Sequence, residues 1–328
     1  MKRMISRKRV RSSSPVTLGR VGELAAIERI VRLLPRSADI IVGAGDDCAL
    51  VRPDRTSSSD WLLTSDAVIE GTHFEAGAPA SGTAIGHKAI GRVLSDLAAM
   101  GGKPKWALVD IVAPPRTPLA LLDGIYRGML RLAARHGLSV VGGDMAKGPV
   151  LEIHVFAVGF VPGGKAVLRS GAKVGDVVFV TGALGGSAAG KHLSFMPRVQ
   201  EGAFLRSWAS AMIDISDGLA TDLRHIAEMS GVGARLEADR IPVSSAARKI
   251  RDGVSALDHA LSDGEDFELL FTLPSSRERK FVTLWKRTFD LPCTRIGVVT
   301  HRKGILECAR ADGGIVRLRK SGFQHFRR

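Results

Sequence analysis

The chain has 328 residues, enough for two domains, with ordinary hydrophobic (45%) and charged (24%) content. No apolar stretch approaches the ~20 residues that span a bilayer. Three scattered cysteines without a CxxC pair argue against a disulfide framework and a zinc site, and point to a reducing compartment. The formal net charge of +14 is high and suits an anionic partner: nucleic acid, an acidic membrane surface or a phosphorylated metabolite.

The first 20 residues hold seven Lys or Arg and no acid, half of that net charge. They lack the apolar core of a secretory signal. An organellar transit peptide also shares this composition, but the segment is short and weakly amphipathic; it reads as a disordered basic tail. A helix is predicted over 22–34, with Leu24, Ile27, Ile30, Val31 and Leu34 on one face. Strands at 40–42 and 48–51 flank a Gly45-Asp46-Asp47 turn, and a strand at 61–64 delivers Ser65 and Asp66 at its end. The next helix, 84–100, turns Ile90, Val93, Leu94 and Leu97 inward and carries Asp96. A strand (106–112), a helix (119–136) closed by Gly137, a strand (140–141) running into Gly142-Gly143-Asp144 and a strand (151–160) complete the first half. The Gly-rich stretch 161–176 marks a domain boundary.

The second half repeats the style. It has strands at 177–181, 211–214, 234–236, 267–272, 295–299 and 305–307, and helices from Ser187, at 217–230 and at 276–287. This alternation predicts an α/β (mixed α+β) fold of two domains, 21–161 and 162–328, after a tail of 1–20.

Six acidic motifs run through these elements: GDDCAL from Gly45, TSDAVIEGTHF from Thr64, LSDLAAMGG from Leu94, GGDM from Gly142, DISDGLATDL from Asp214 and DGEDFELLF from Asp263. Singly, each has an ordinary explanation. Asp46 and Asp144 suit turns, Asp217 suits a helix N-cap, Asp96 could pair with Arg92 one helical turn back, and His73 could be a core histidine. Jointly, Asp side chains recur at the ends of apolar strands, where a shared site would lie. Converging carboxylates with hydroxyls nearby suit hard divalent cations and the phosphates they carry. No GxxxxGK[ST] loop, GxGxxG fingerprint or protein-kinase motif set is present. Gly142-Gly143 would let backbone approach a nucleotide, and Arg169 and Lys173 could meet phosphate oxygens. Nucleic acid is the weaker reading of the charge: no RNA- or DNA-binding motif accompanies it, and Tyr126 is the only tyrosine.

The six motifs, with RSGAKVGD at 169–176 and the closing GFQHF at 322–326, resemble the thiamine-monophosphate kinase family. Its superfamily also holds aminoimidazole ribonucleotide synthetase and selenophosphate synthetase. The resemblance runs from about Gly22 to the C-terminus. It implies Mg-assisted phosphoryl transfer from ATP to thiamine monophosphate, in a cytoplasmic homodimer. It implies metal ligands at Asp47, Thr64, Ser65, Asp66, Asp96, Asp144, Asp214 and Asp217. Nucleotide contacts would come from Tyr126, Gly143, Asp144, Arg169 and Ser216, and contacts to the thiamine end from His73, Glu265 and Phe323. The alternative is a sister kinase or synthetase acting on another small phosphorylated substrate. The chain departs from the family pattern at Val93 (commonly Asn), Met145 (commonly Thr) and Asp263 (commonly Gly), but no core carboxylate is lost.

Overall fold

The computed structural model describes residues 17–35, 37–54, 56–75, 80–310 and 312–318. Residues 17–35 belong to a unit of their own, with helices α1 (Leu18–Val21) and α2 (Glu23–Val31). The helix predicted at 22–34 is α2, which ends at Val31; Gly22, at φ 79°, separates it from the short α1 before it.

The main unit begins with β1 (Ile40–Val42), β2 (Ala49–Val51) and β3 (Ser59–Ile69). Next come α3 (Gly82–Ala99), β4 (Lys103–Ala113), α4 (Leu119–Arg135), β5 (Ser139–Gly142), β6 (Met145–Lys147) and β7 (Glu152–Pro162). These strands form one sheet, ordered β1-β2-β3-β7-β4-β5, with β6 also on β4. Strands β3 and β7 pair antiparallel from Ser59 opposite Pro162 to Ile69 opposite Glu152. Period-two alternation sends Leu62, Thr64 and Val68 inward, while Trp61 and Ser65 face out.

A second sheet follows, from β8 (Val177–Thr181), β9 (Ala211–Asp214), β10 (Gly233–Glu237), β11 (Leu269–Leu273), β12 (Cys293–Thr300), β13 (Leu306–Ala309) and β14 (Ile315–Arg317). Its order is β14-β13-β10-β12-β8-β11-β9. Helices α5 (Val199–Leu205), α6 (Leu219–Ser230), α7 (Ala256–Ser262) and α8 (Glu278–Thr288) connect these strands. The helix predicted from Ser187 is only two 3-10 turns, Ser187–Ala189 and Lys191–Leu193. Gly185, Gly186 and Gly190 all sit at positive φ there and break any longer helix.

Helix α3 is the element that both sheets share. Ser81 caps its N-terminus by accepting from Ala84 N at 3.2 Å. Its glycines and those of its neighbours allow backbone-to-backbone approach. A Cβ on Gly86 would lie 1.9 Å from Ile125 O of α4, one on Gly128 would lie 2.1 Å from Thr83 O, and one on Gly202 of α5 would lie 2.1 Å from Ala98 O. Ile85, Ile90, Leu94 and Leu97 are fully buried in a core that runs on to Phe179, Phe271 and Phe281 of the second half. A Gly86→Ala chain is expected to lose about 1–3 kcal/mol of stability, because backbone must move to admit the methyl. Denaturant unfolding checks this; an unchanged midpoint would mean that the α3–α4 contact is not tight.

Candidate active site

Three carboxylates from distant segments converge. Asp47 lies in the turn between β1 and β2, Asp96 near the end of α3, and Asp214 at the end of β9. One oxygen from each lies within 4.8 Å of the others. Asp214 is buried, the Asp47 side chain is 1% exposed, and Asp96 is half-buried. Thr64 of β3 donates its hydroxyl to Asp96 Oδ2, and Ser95 donates to Asp214 Oδ2 at 2.5 Å.

Burial and mutual repulsion shift these acids. Asp214 is pushed up to about 7, by burial first and then by Asp47. Asp96 is held well above the usual carboxylate range by burial, then by Asp66, Asp214 and Asp47. Asp47 is raised by burial, with Arg169 opposing.

Two arginines offset part of the charge. Arg169 Nη2 donates to Asp47 Oδ1 at 2.7 Å. Its backbone N–H donates to Asp46 Oδ2 at 3.1 Å, and Asp46 Oδ1 accepts from Asp47 N, so Asp46 shapes the turn. Arg92 does not serve Asp96, as its helical spacing suggested. Its Nη2 donates to Asp66 Oδ1 at 2.8 Å and its Nη1 to Glu265 Oε1 at 3.3 Å.

The trio fits a divalent cation. Cation–oxygen distances of about 2.0–2.6 Å allow ligand oxygens up to roughly 4–5 Å apart. Asp47 Oδ2 is buried without a hydrogen-bond partner, a costly arrangement that a cation would relieve. Hard oxygen donors of this kind suit Mg2+.

The other predicted residues fall around this centre. Thr64 and Asp66 share the inner face of β3. Ser65 lies between them with its side chain on the opposite, exposed face, which leaves its backbone oxygen as the group on offer to a cation. Asp217 groups not with the trio but with Asp222 and His225. Nor is Asp217 an N-cap: that position is Gly218. Buried Asp222 accepts instead, from Ser216 N and Asp217 N at 3.1 Å each, and so fixes the turn that presents both residues. Asp144 is exposed, with its N–H held by Asp110 Oδ1 at 2.8 Å, and is not in the trio. Gly143 precedes it where a Cβ would meet Val109 O at 1.8 Å. Tyr126 is half-buried on α4 against the first core. Phe323 lies outside the described residues.

His73 and Glu265 are brought close by a residue that sequence reading passed over. Lys88, fully buried on α3, reaches His73 O at 2.6 Å and Glu265 Oε1 at 2.7 Å. Glu265 and Phe267 have φ of 64° and 50°, the left-handed region that costs non-glycine residues on the order of 1 kcal/mol each. Buried Glu268 anchors the segment after them. It takes two bonds from Arg198, at 2.7 and 2.6 Å, and one from Thr181 Oγ1 at 2.8 Å. A helical-wheel reading places Lys88 and Arg92 one turn apart on the face that carries Asp96, which was the signal available for both.

This arrangement has a double-sheet body, a core helix shared by both halves and an acid cluster drawn from both. Residues 45–161 match the family "AIR synthase related protein, N-terminal domain", and residues 173–308 match its C-terminal domain. A thiamine-monophosphate kinase of Rhodopirellula baltica is 36% identical over 92% of this chain and 96% of its own length. That of Escherichia coli is 35% identical over 93% and 98%. The solved structure of AaThiL complexed with AMPPCP and TMP is 32% identical, with a TM-score of 0.82, covering 95% of this chain and all of that one. The kinase structure from Stenotrophomonas maltophilia is 33% identical, with a TM-score of 0.71, over 88% and 96%. The chain belongs to the thiamine-monophosphate kinase family.

The acid cluster has a consequence for the metal-free protein. A folded pKa of about 7 for Asp214, above its ordinary 3.8, means that the native state binds this proton more tightly than the unfolded chain does. Its contribution to stability is therefore complete below about pH 4 and is lost as pH rises through about 7. In chelator, Asp214→Asn is expected to flatten the fall in stability between pH 5 and 8 and to stabilise the chain at pH 8. Urea unfolding across that range measures it; an Asn variant with the wild-type slope would contradict the cluster's electrostatics.

Proposed function

We propose that the chain transfers the γ-phosphoryl group of ATP to thiamine monophosphate, giving thiamine diphosphate and ADP, with Mg2+ held by Asp47, Asp96 and Asp214. The observation that carries this reading is the convergence of those three carboxylates from both halves of a chain of this family. Asp66 and Thr64 stand beside the trio as further oxygen donors, and Asp144 from β5–β6 and Asp217 from the turn before α6 would join once a nucleotide and its Mg2+ are bound. Bound Mg2+ would neutralise the two phosphate chains and the charge that develops between them.

The chain's own residues do the positioning. Arg169 is fixed by Asp47 and keeps guanidinium N–H groups for phosphate oxygens. Gly143, without a Cβ, keeps the backbone beside Val109 close and flat where a nucleotide would lie. Ser216 and Asp217 are held by Asp222 at the start of α6. His73, Glu265 and Phe323 would meet the thiamine end, the glutamate offering charge opposite a cationic ring. The attacking phosphate oxygen is already anionic near pH 7, since a phosphate monoester's second pKa is about 6, so no general base is assigned. In-line positioning of two polyanions is the task that remains.

The domains of this reading are 21–161 for ATP and Mg2+ and 162–328 for completing the site, in a cytoplasmic enzyme. A homodimer is part of the same proposal. The outer face of the first sheet exposes Trp61, Trp106, Leu108 and Phe156, neighbours across β3, β4 and β7. A contiguous apolar sheet face of this kind is suited to a second copy of itself. No described helix is long and apolar enough to cross a membrane.

Thiamine diphosphate formation from thiamine monophosphate and ATP, with Mg2+ or with chelator, tests the reaction. Mg-dependent product is expected, and Asp66→Asn and Asp96→Asn are expected to lower turnover at least ~100-fold at saturating Mg2+ without unfolding the chain. No product from folded protein that binds Mg-ATP would move the acceptor elsewhere. Near-normal turnover in either variant would remove the metal assignment.

A further inference from the structure

We propose that Lys88 is a positioning residue for the thiamine end of the site, a buried ammonium that ties His73, His192 and Glu265 into one wall and sets affinity for thiamine monophosphate through Glu265. The inference rests on the reaction proposed above. Its basis is a saturated donor set. The Lys88 side chain is 0% exposed. Its Nζ lies 2.6 Å from His73 O, 2.7 Å from Glu265 Oε1 and 2.8 Å from His192 Nδ1. An ammonium has three N–H bonds and no acceptor, so these three partners use it completely. Lys88 therefore has no donor left for a ligand, and no surface through which one could reach it.

The donor count also fixes His192. Because Lys88 Nζ can only donate, His192 Nδ1 must offer its lone pair, which leaves the ring proton on Nε2 and the ring neutral. The 3.4 Å approach of that same Nδ1 to Glu265 Oε2 is then a contact between two acceptors and not an ion pair. Oε1 of Glu265 is claimed by Lys88 and Arg92, at 2.7 and 3.3 Å. Oε2 receives no hydrogen bond from His192, so it is the oxygen available to a donor on the substrate.

The connectivity explains why a buried lysine belongs here. His73 follows β3, Lys88 and Arg92 are on α3, and His192 and Glu265 come from the second half of the chain. Burying a lysine is costly, and its pKa is lowered by that burial while Glu265 opposes the shift. What the burial achieves is a Glu265 carboxylate held from two sides, on backbone already in the left-handed region. A side chain held this way meets its ligand without losing rotamer freedom on binding.

Steady-state kinetics on the full chain decide it. Lys88→Met keeps the length and apolar stem but removes the ammonium. It is expected to raise KM for thiamine monophosphate roughly 10- to 100-fold, the effect of losing a charge-assisted hydrogen bond, while KM for ATP changes by less than about threefold. In a Glu265→Gln background, Lys88→Met is expected to add less than about threefold, because its effect is routed through that carboxylate. If Lys88→Met does not fold, His192→Leu, which removes one acceptor and leaves Lys88 and Glu265, should show a smaller rise with the same selectivity. Equal rises in both KM values, a fall in kcat alone, or full additivity with Glu265→Gln would overturn the role of Lys88. A wild-type chain that makes no thiamine diphosphate would overturn the proposed reaction, and this inference with it.

Discussion

Mutual repulsion among Asp47, Asp96 and Asp214 is the constraint on which the rest of the site depends. Like charges do not gather in a buried place by themselves. A turn, a helix and a strand end from separate parts of the chain must hold them there, and the folding energy of those elements has to exceed the cost. The glycine contacts of α3 with α4 and α5 make its position nearly invariant, because each is a backbone approach with no side chain to adjust. Asp96 is thereby fixed within a helix that cannot retreat from its neighbours. A site whose acids are fixed before any cation arrives is the preorganised kind that phosphoryl transfer calls for.

The arginines divide the remaining work by location. Arg169 neutralises the Asp47 side of the cluster, and Arg92 serves Asp66 and Glu265 at the other side. Neither donates a hydrogen bond to Asp96 or Asp214, which take theirs from Thr64 and Ser95. The acids are only partly compensated, with Asp47 Oδ2 left buried and unpartnered, which is the charge pattern of a cation site and not of a simple ion-pair network. The same pattern links the halves of the chain. Asp47 and Asp96 come from the first half, Arg169 from the connection and Asp214 from the second, so cation binding would draw all three segments together.

Much of this was legible in the sequence, for identifiable reasons. Asp residues placed at the ends of apolar strands are visible as text, because the strand pattern is local and the strand end is where a carboxylate meets a shared site. Strands β3 and β4 proved longer than their apolar cores suggested, since their outer faces carry Ser65 and Lys105. The helix expected from Ser187 failed because the glycines around it adopt positive φ, which composition alone does not reveal. Lys88, Asp222, His192 and Glu268 were silent for a different reason. Lys88, His192 and Glu268 matter through partners 15 to 177 residues away in sequence, and Asp222, whose partners are local, reads as a solvated face because a lone Asp within an amphipathic helix does. The pairing of Arg92 with Asp96 was wrong in the same way: helical spacing predicted a neighbour, and tertiary structure supplied two better ones.

The most direct test of the account is whether the three carboxylates bind divalent cations as one site. Mn2+ titration followed by electron paramagnetic resonance, on the wild type and on Asp96→Asn in the presence of a non-hydrolysable ATP analogue, reports it without requiring turnover. The account predicts tightly bound Mn2+ in the wild type and the loss of at least one bound ion in the variant. Equal binding by the two proteins, with the variant folded, would contradict it.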